Sequence, residues 1–233
     1  MHAQYARPFI EAGMPVFLDK PITTEYAQAQ ELIALAREKN SLLCGGSGCK
    51  LAYDVLTLRD HVQDCREAGK FISGVINFPA YTDSEYDGFF FYASHLTEMA
   101  LTIFGYDPVS VIAAEKNKVV TAILRYSDFD VTLQFTPHAA AYSCTVYSEA
   151  RNYTREIDIS RIYNHEVAEF MHMIHTGTPH GDRRRKRHGD FRHSAASAPL
   201  RYRCSGGNLG HRLRRHPVLR GQQLAAHHRE GTG

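Results

Sequence analysis

His2-Ala-Gln-Tyr-Ala-Arg-Pro-Phe-Ile-Glu-Ala-Gly-Met-Pro-Val-Phe-Leu-Asp-Lys-Pro21 is the stretch whose reading decides the fold. Ala3 to Ala12 has the pattern of a helix, and Gly13 suits the left-handed position just past a helix C-terminus. Pro15 to Leu18 then reads as a short buried strand, followed at once by Asp19-Lys20-Pro21. The Lys20–Pro21 bond is a candidate for cis geometry, since X-Pro bonds alone tolerate that form cheaply. Thr23 or Thr24 is placed to cap a second helix, which runs through Ala29, Leu32, Ile33 and Ala36 at helical spacing to Lys39-Asn40. Ser41 to Cys44 is again a short strand. Helix, strand, helix, strand is the grammar of an α/β domain with a parallel sheet, of which this is the last part.

Downstream the texture changes. Gly45-Gly-Ser-Gly48 makes a loop, and a helix from about 52 to 68 closes on Gly69. Strands are expected at Phe71–Phe78, Ser110–Ala114, Val119–Tyr126, Val131–Phe135 and Ala141–Tyr147, with helices at about 90–104 and 163–176. Short connections between consecutive strands predict an α+β domain on one mainly antiparallel open sheet. The expected organisation is an α/β remnant over 1–48, an α+β domain over 49–179 and a basic tail over 180–233.

That division also shows in the charge. Residues 180–233 hold 13 basic and 3 acidic residues, against 14 and 22 in the preceding part, so the overall +2 hides two unlike sequences. The tail holds 12 Arg, 7 His and no apolar period that could bury a face, which predicts disorder. Its bias is what an out-of-frame reading of GC-rich DNA yields, and the expectation is a frameshift near residue 180. A nucleic-acid role would rest on this charge alone, without a recognition motif, and is disfavoured. The apolar runs are far shorter than the roughly 18 residues of a membrane-spanning helix, and the first residues carry no export signal. Five cysteines without C-x-x-C fit reduced thiols and a cytoplasmic location.

Two motifs carry chemistry. Ala12-Gly13, a strand and Asp19-Lys20-Pro21 resemble the helix-strand unit of the glucose–fructose oxidoreductase / inositol dehydrogenase (Gfo/Idh/MocA) family of NAD(P)-dependent oxidoreductases, where most members have Glu-Lys-Pro. The resemblance covers residues 2 to about 179. It implies a Rossmann-type dinucleotide domain, NAD or NADP as cofactor, and a sugar- or polyol-like substrate. It places Asp19, Lys20 and Pro21 at the nicotinamide side, with Lys20 in the proton-transfer machinery. A cation at a strand's carboxyl end lies where α/β sheets bind ligands and would stabilise a developing alkoxide.

The second motif lies in Gly88-Phe-Phe-Phe-Tyr-Ala-Ser-His95, where the family carries Asp-x-x-x-His on a helix of the substrate domain. His95 matches the histidine that exchanges the substrate's hydroxyl proton. The aspartate position is Phe91, so that carboxylate is missing, and Tyr92 is the expected partner hydroxyl. Lys50, in Cys44-Gly-Gly-Ser-Gly-Cys-Lys50, stands close to an arginine of relatives that lines the crevice between domains. In the same segment Gly46-x-Gly48-x-x-Leu51 imitates a dinucleotide fingerprint, but its third position is Leu51 and the next strand ends without an acidic residue. An ordinary tight connection is expected there. His165, Glu169 and His172 share a face of the last helix, but Val167, Phe170, Met171 and Ile174 are expected to face the core opposite them, which leaves the trio in solvent and disfavours a metal site.

The family begins with a strand, G-x-G-x-x-G and a helix, and these 233 residues lack that unit ahead of Asp19-Lys20-Pro21. The expectation is therefore an N-terminally truncated chain that binds NAD(P) poorly and is inactive. The alternative is a non-catalytic binding or oligomerisation module, since the open sheet mediates subunit contacts in many relatives.

Overall fold

A computed structural model describes residues 2–86, 88–137 and 142–177. Helix α1 (His2–Glu11) ends in a Schellman motif. Gly13 at φ +70° donates to the Ile10 carbonyl and Met14 to the Phe9 carbonyl, so the last turn's acceptors are satisfied. β1 (Val16–Asp19) and β2 (Leu43–Gly46) pair in parallel, Val16 against Leu43 and Asp19 against Gly46. Between them runs α2 (Tyr26–Glu38), and the unit closes over Ala6, Ile10, Val16, Leu18, Leu32 and Ala36. The expected threonine cap is absent. α2 starts at Tyr26 with Glu25 in the capping position, and Thr23 uses its hydroxyl to donate to the Glu25 carbonyl at 2.8 Å. The threonines lie too early in the chain to cap.

A 3₁₀ turn (Gly48–Leu51) and α3 (Tyr53–Glu67) lead into the second sheet. Its strands are β3 (Phe71–Pro79), β4 (Ser110–Lys116), β5 (Val119–Arg125), β6 (Asp130–Thr136), β7 (Ser143–Ser148) and β8 (Tyr153–Glu156), in the order β4-β5-β6-β3-β7-β8. All pairs are antiparallel except β3 with β6, which are parallel because α4 (Phe89–Phe104) and two strands lie between them in the chain. The mainly antiparallel sheet is as expected. β8, four residues with two charges, gave no strand signal in the sequence.

One face of this sheet carries α3 and α4. Val55, Leu58 and Val62 of α3, Leu96, Met99, Ala100, Ile103 and Phe104 of α4, and Ile76, Phe78, Val131, Leu133 and Phe135 of the strands form the core. Gly74 is required by it, because a Cβ there would overlap the Phe104 ring. A second clamp is electrostatic. Asp54 of α3, nearly buried, accepts from the Arg155 guanidinium of β8 and from the Asp158 backbone N–H.

The final helix, α5 (Ile162–Thr176), docks on the 3₁₀ turn, and its Phe170 ring lies 5.6 Å from that of Phe17 in β1. Of the residues expected to face the core, Phe170 packs inward and the other three do not. α5 buries Ile162, Glu166 and Met173, whereas Val167, Met171 and Ile174 are 61%, 43% and 36% exposed. The helix is held by the side carrying a carboxyl, a rotation that apolar periodicity does not reveal. The basic tail and its expected disorder lie outside the described residues, among which no helix is long and apolar enough to cross a membrane.

Candidate functional site

The carboxyl ends of β1 and β2 open toward the first turns of α4, and the site is built across that gap. After Asp19 the chain turns through a cis Lys20–Pro21 bond, the geometry singled out from the sequence. The Lys20 ammonium reaches α4, donating to the Phe91 carbonyl at 3.1 Å and lying 3.3 Å from the centre of the Phe91 ring. The Tyr92 ring is the second aromatic beneath the ammonium, its centre 5.5 Å away. Phe91 therefore meets the lysine with a ring face and a carbonyl dipole, both attractive to a cation. Burial nonetheless lowers the Lys20 pKa, with Asp19 opposing in part.

One turn further along α4, His95 meets the glycine-rich loop. Its Nδ1 is 2.6 Å from Ser47 Oγ and 3.4 Å from Cys49 Sγ, and its ring packs 5.4 Å from that of Phe78. Burial first, and the Lys20 charge second, lower its pKa to about 4, so the imidazole is neutral at neutral pH. Burial raises the Cys49 thiol to about 11, so it stays protonated.

The loop itself is held by Glu98, which lies one helical turn beyond His95 on the same side of α4. Glu98 Oε1 accepts from the Ser47 backbone N–H at 2.9 Å, and Oε2 pairs with Lys50 Nζ at 2.8 Å. Lys50 also donates to the Gly45 carbonyl at 2.9 Å. From α5, the Glu166 carboxyl is 3.1 Å from the place a Gly48 Cβ would occupy. Its pKa is raised by burial, then by the nearby Asp19 carboxylate.

The structure thus brings Lys20, Tyr92 and His95 to one crevice, with Asp19 and Pro21 flanking Lys20 in the chain. Two placements differ from the sequence reading. The hydroxyl on His95 Nδ1 is that of Ser47, while Tyr92 packs its ring edge-on against Tyr81 and Phe91. Lys50 lies at the crevice but is engaged by Glu98. Ser47, Glu98 and Glu166 were not singled out from the sequence. Glu98 carried a signal, three residues after His95; Ser47 sat inside a loop that reads as a turn; Glu166 carried none, lying between the polar trio and the apolar stripe of its helix.

A nicotinamide dinucleotide makes two demands on such a crevice. The strand ends with the Lys20 ammonium fit its nicotinamide end. The Gly45–Gly48 loop does not fit its pyrophosphate, because each glycine is already used for a close approach. A Cβ would overlap the Leu18 carbonyl at Gly45, the Glu98 carboxylate at Gly46 and crowd Glu166 at Gly48. Two carboxylates against the loop also oppose a phosphate. The loop is the tight connection expected from its departures from the fingerprint.

Known proteins resemble this chain in sequence and in fold. Residues 1–46 match the model of an oxidoreductase family with an NAD-binding Rossmann fold, Gfo/Idh/MocA. The uncharacterized oxidoreductase YdgJ of Escherichia coli is 31% identical over 169 residues, covering 61% of this chain and 46% of its own length, so the chain spans less than half of that relative. Among solved structures, a probable dehydrogenase from Thermotoga maritima has a TM-score of 0.66 at 15% identity, over 77% of this chain and 68% of that one. GenD2 from gentamicin A biosynthesis, solved in complex with NAD, has 0.62 at 15% identity, over 76% and 66%. These two likenesses concern the fold.

Proposed function

Because this chain belongs to the Gfo/Idh/MocA oxidoreductase family, we propose that its residues form the substrate side of a site that oxidises a sugar- or polyol-like hydroxyl with NAD or NADP. The observation that carries the reading is the convergence of the Lys20 ammonium and the neutral His95 imidazole on the first turns of α4. Bound there, the dinucleotide would accept or supply the hydride. Lys20 and His95 both face the reacting hydroxyl, Lys20 in the path of its proton and stabilising negative charge on its oxygen. Asp19 and Pro21 shape the turn that aims Lys20, and Lys50 fixes the glycine-rich loop that would border the dinucleotide. Tyr92 and Phe91 wall the crevice.

The reading divides the chain into a dinucleotide-domain segment, 1–48, and a substrate domain, 49–179. The unpaired Cys44, Cys49, Cys65 and Cys144 fit a reducing compartment such as the cytoplasm. The second face of the large sheet, with Thr121, Ile123, Thr132, Gln134 and Thr145 between the core-facing residues, suits pairing with a second copy.

Residues 1–233 on their own bind the dinucleotide weakly and turn over slowly or not at all, since the loop at 45–48 offers no pyrophosphate cradle. Charge-assisted hydrogen bonds contribute about 1.5–3 kcal/mol each, so two or three fewer weaken binding a thousandfold or more. A non-catalytic binding role is the second reading, favoured by the occupation of Lys20 by Phe91. Calorimetric titration with NADH and NADPH, paired with a dehydrogenase assay over several polyols, tests both. Millimolar binding that strengthens, with turnover, when a Gly-rich strand-turn-helix is fused ahead of residue 1 supports the oxidoreductase reading. Failure of the fused protein to oxidise or reduce any polyol or sugar refutes it in favour of the second.

A further inference from the structure

We propose that Ser47 is a positioning residue that fixes His95 in a single tautomer, Nδ1 accepting and Nε2 carrying the proton, so that His95 meets a substrate oxygen as a neutral hydrogen-bond donor. The proposal rests on the reading that His95 faces the reacting hydroxyl, and it reassigns what His95 does there.

Ser47 is fully buried, and its Oγ accepts from the Cys49 backbone N–H at 3.2 Å. Its own proton must then go to an acceptor, and among the described residues the acceptor within reach is His95 Nδ1, 2.6 Å away. Were Nδ1 protonated instead, it would donate to Ser47, and the buried hydroxyl proton would have no partner. Cys49 adds a second donor on the same nitrogen, because its thiol, 3.4 Å from Nδ1, stays protonated. Two X–H groups aimed at one ring nitrogen leave it the role of acceptor, and a neutral imidazole then carries its proton on the other nitrogen.

The orientation of Ser47 is itself fixed. Its backbone N–H donates to Glu98, whose other oxygen is held by Lys50. Glu98 and His95 are three residues apart on α4, so the helix that carries the imidazole also carries the group that aims the serine at it. Gly46 makes the approach sterically open.

The consequence for the chemistry is a division of labour. A neutral Nε2–H donor stabilises negative charge on the substrate oxygen without giving up its proton. When a hydroxyl is oxidised with NAD or NADP, the hydride of its C–H bond would pass to the dinucleotide while its O–H bond breaks and the proton forms an N–H bond on Lys20 Nζ, in the free amine form; His95 keeps its proton throughout.

The test is nuclear magnetic resonance of the imidazole nitrogens in the 233-residue chain at pH 7.5, with the His95 signals assigned by their loss in His95→Gln. Protonated Nε2 and unprotonated Nδ1 are expected. Ser47→Ala leaves the weaker thiol as the remaining donor and should raise the Nδ1–H to Nε2–H ratio about tenfold, the weight of one net hydrogen bond. Ser47→Thr should restore the wild-type pattern. Nδ1–H, or an even mixture, in the wild type overturns the proposal whatever the variants do, as does an unchanged ratio in a folded Ser47→Ala. If that variant does not fold, the wild-type spectrum decides. A fixed Nε2–H tautomer in a fused protein that turns over nothing would remove the oxidoreductase reading and leave the tautomer assignment standing; turnover without tautomer preference would do the reverse.

Discussion

His95→Gln should remove a specific part of the chain's acid sensitivity. In the folded protein His95 titrates near 4, against 6.5 for an unperturbed imidazole, because burial and Lys20 disfavour its cation. Between those two values the unfolded chain binds a proton that the folded chain refuses, so protonation draws the equilibrium toward unfolding as pH falls below 6.5. The loss grows until pH reaches about 4 and is regained in full as pH rises through 6.5. At about 1.36 kcal/mol per pKa unit, the full term is about 3 kcal/mol, of which about 2 kcal/mol has been lost at pH 5. With a urea slope of about 2 kcal/mol/M, the wild-type midpoint should fall by about 1 M more than that of His95→Gln between pH 7.5 and pH 5. The comparison of the two proteins isolates His95, since Glu166, whose raised pKa acts with the opposite sign, is common to both. Parallel midpoint-against-pH curves for the two proteins would refute the reasoning, because they would mean that the imidazole is protonated as easily in the crevice as in water.

Two further substitutions probe the loop beneath His95. Gly46→Ala places a Cβ at φ +96° against the Glu98 carboxylate, and should cost more than about 2 kcal/mol in urea unfolding, left-handed strain alone accounting for about 1–2 kcal/mol. Lys50→Met leaves the three-quarters-buried Glu98 carboxylate without its cation and should cost about 1–2 kcal/mol by the same measurement, reduced by partial solvent access, whereas the double variant Lys50→Met with Glu98→Gln should recover most of it.

How much of this was legible in the sequence depends on how far apart the cooperating residues lie. Asp19-Lys20-Pro21 and the Ala12-Gly13 stop before it are local features, each decided within a few residues, and the strand, the Schellman turn and the cis bond follow them. α4 was equally readable, since Leu96, Met99, Ala100 and Ile103 repeat at helical spacing and are all buried. The cap of α2 was misplaced because two threonines before a helical pattern look alike until the first turn is seen to begin at Tyr26. For α5 the period of its apolar residues suggested one face, but the helix is docked by Glu166 beside Gly48 and by Phe170 beside Phe17, contacts with segments more than 100 residues earlier.

The site divides in the same way. Lys20 and His95 could be named singly, each from its own motif, and both reach the crevice. Their partners could not, because a partner is chosen by what the fold delivers from elsewhere. Phe91 in place of an acidic residue looked like a lost function. In the structure its ring and carbonyl hold the Lys20 ammonium, so what a carboxylate would do by charge is done here by a quadrupole and a backbone dipole. The exchange alters the balance on Lys20. A carboxylate would favour the ammonium strongly and hold its pKa high, whereas a ring attracts it less and also excludes water, so desolvation prevails and the pKa falls. A lysine that releases its proton more readily and a histidine that holds no extra one are consistent with each other. The Lys20 charge depresses His95, burial depresses both, and Asp19 opposes both shifts only in part, while Glu98 is drawn to Lys50 and Ser47 and Glu166 lies against Gly48. The glycines that resemble a phosphate cradle are what let those carboxylates come so close, and that use excludes the other.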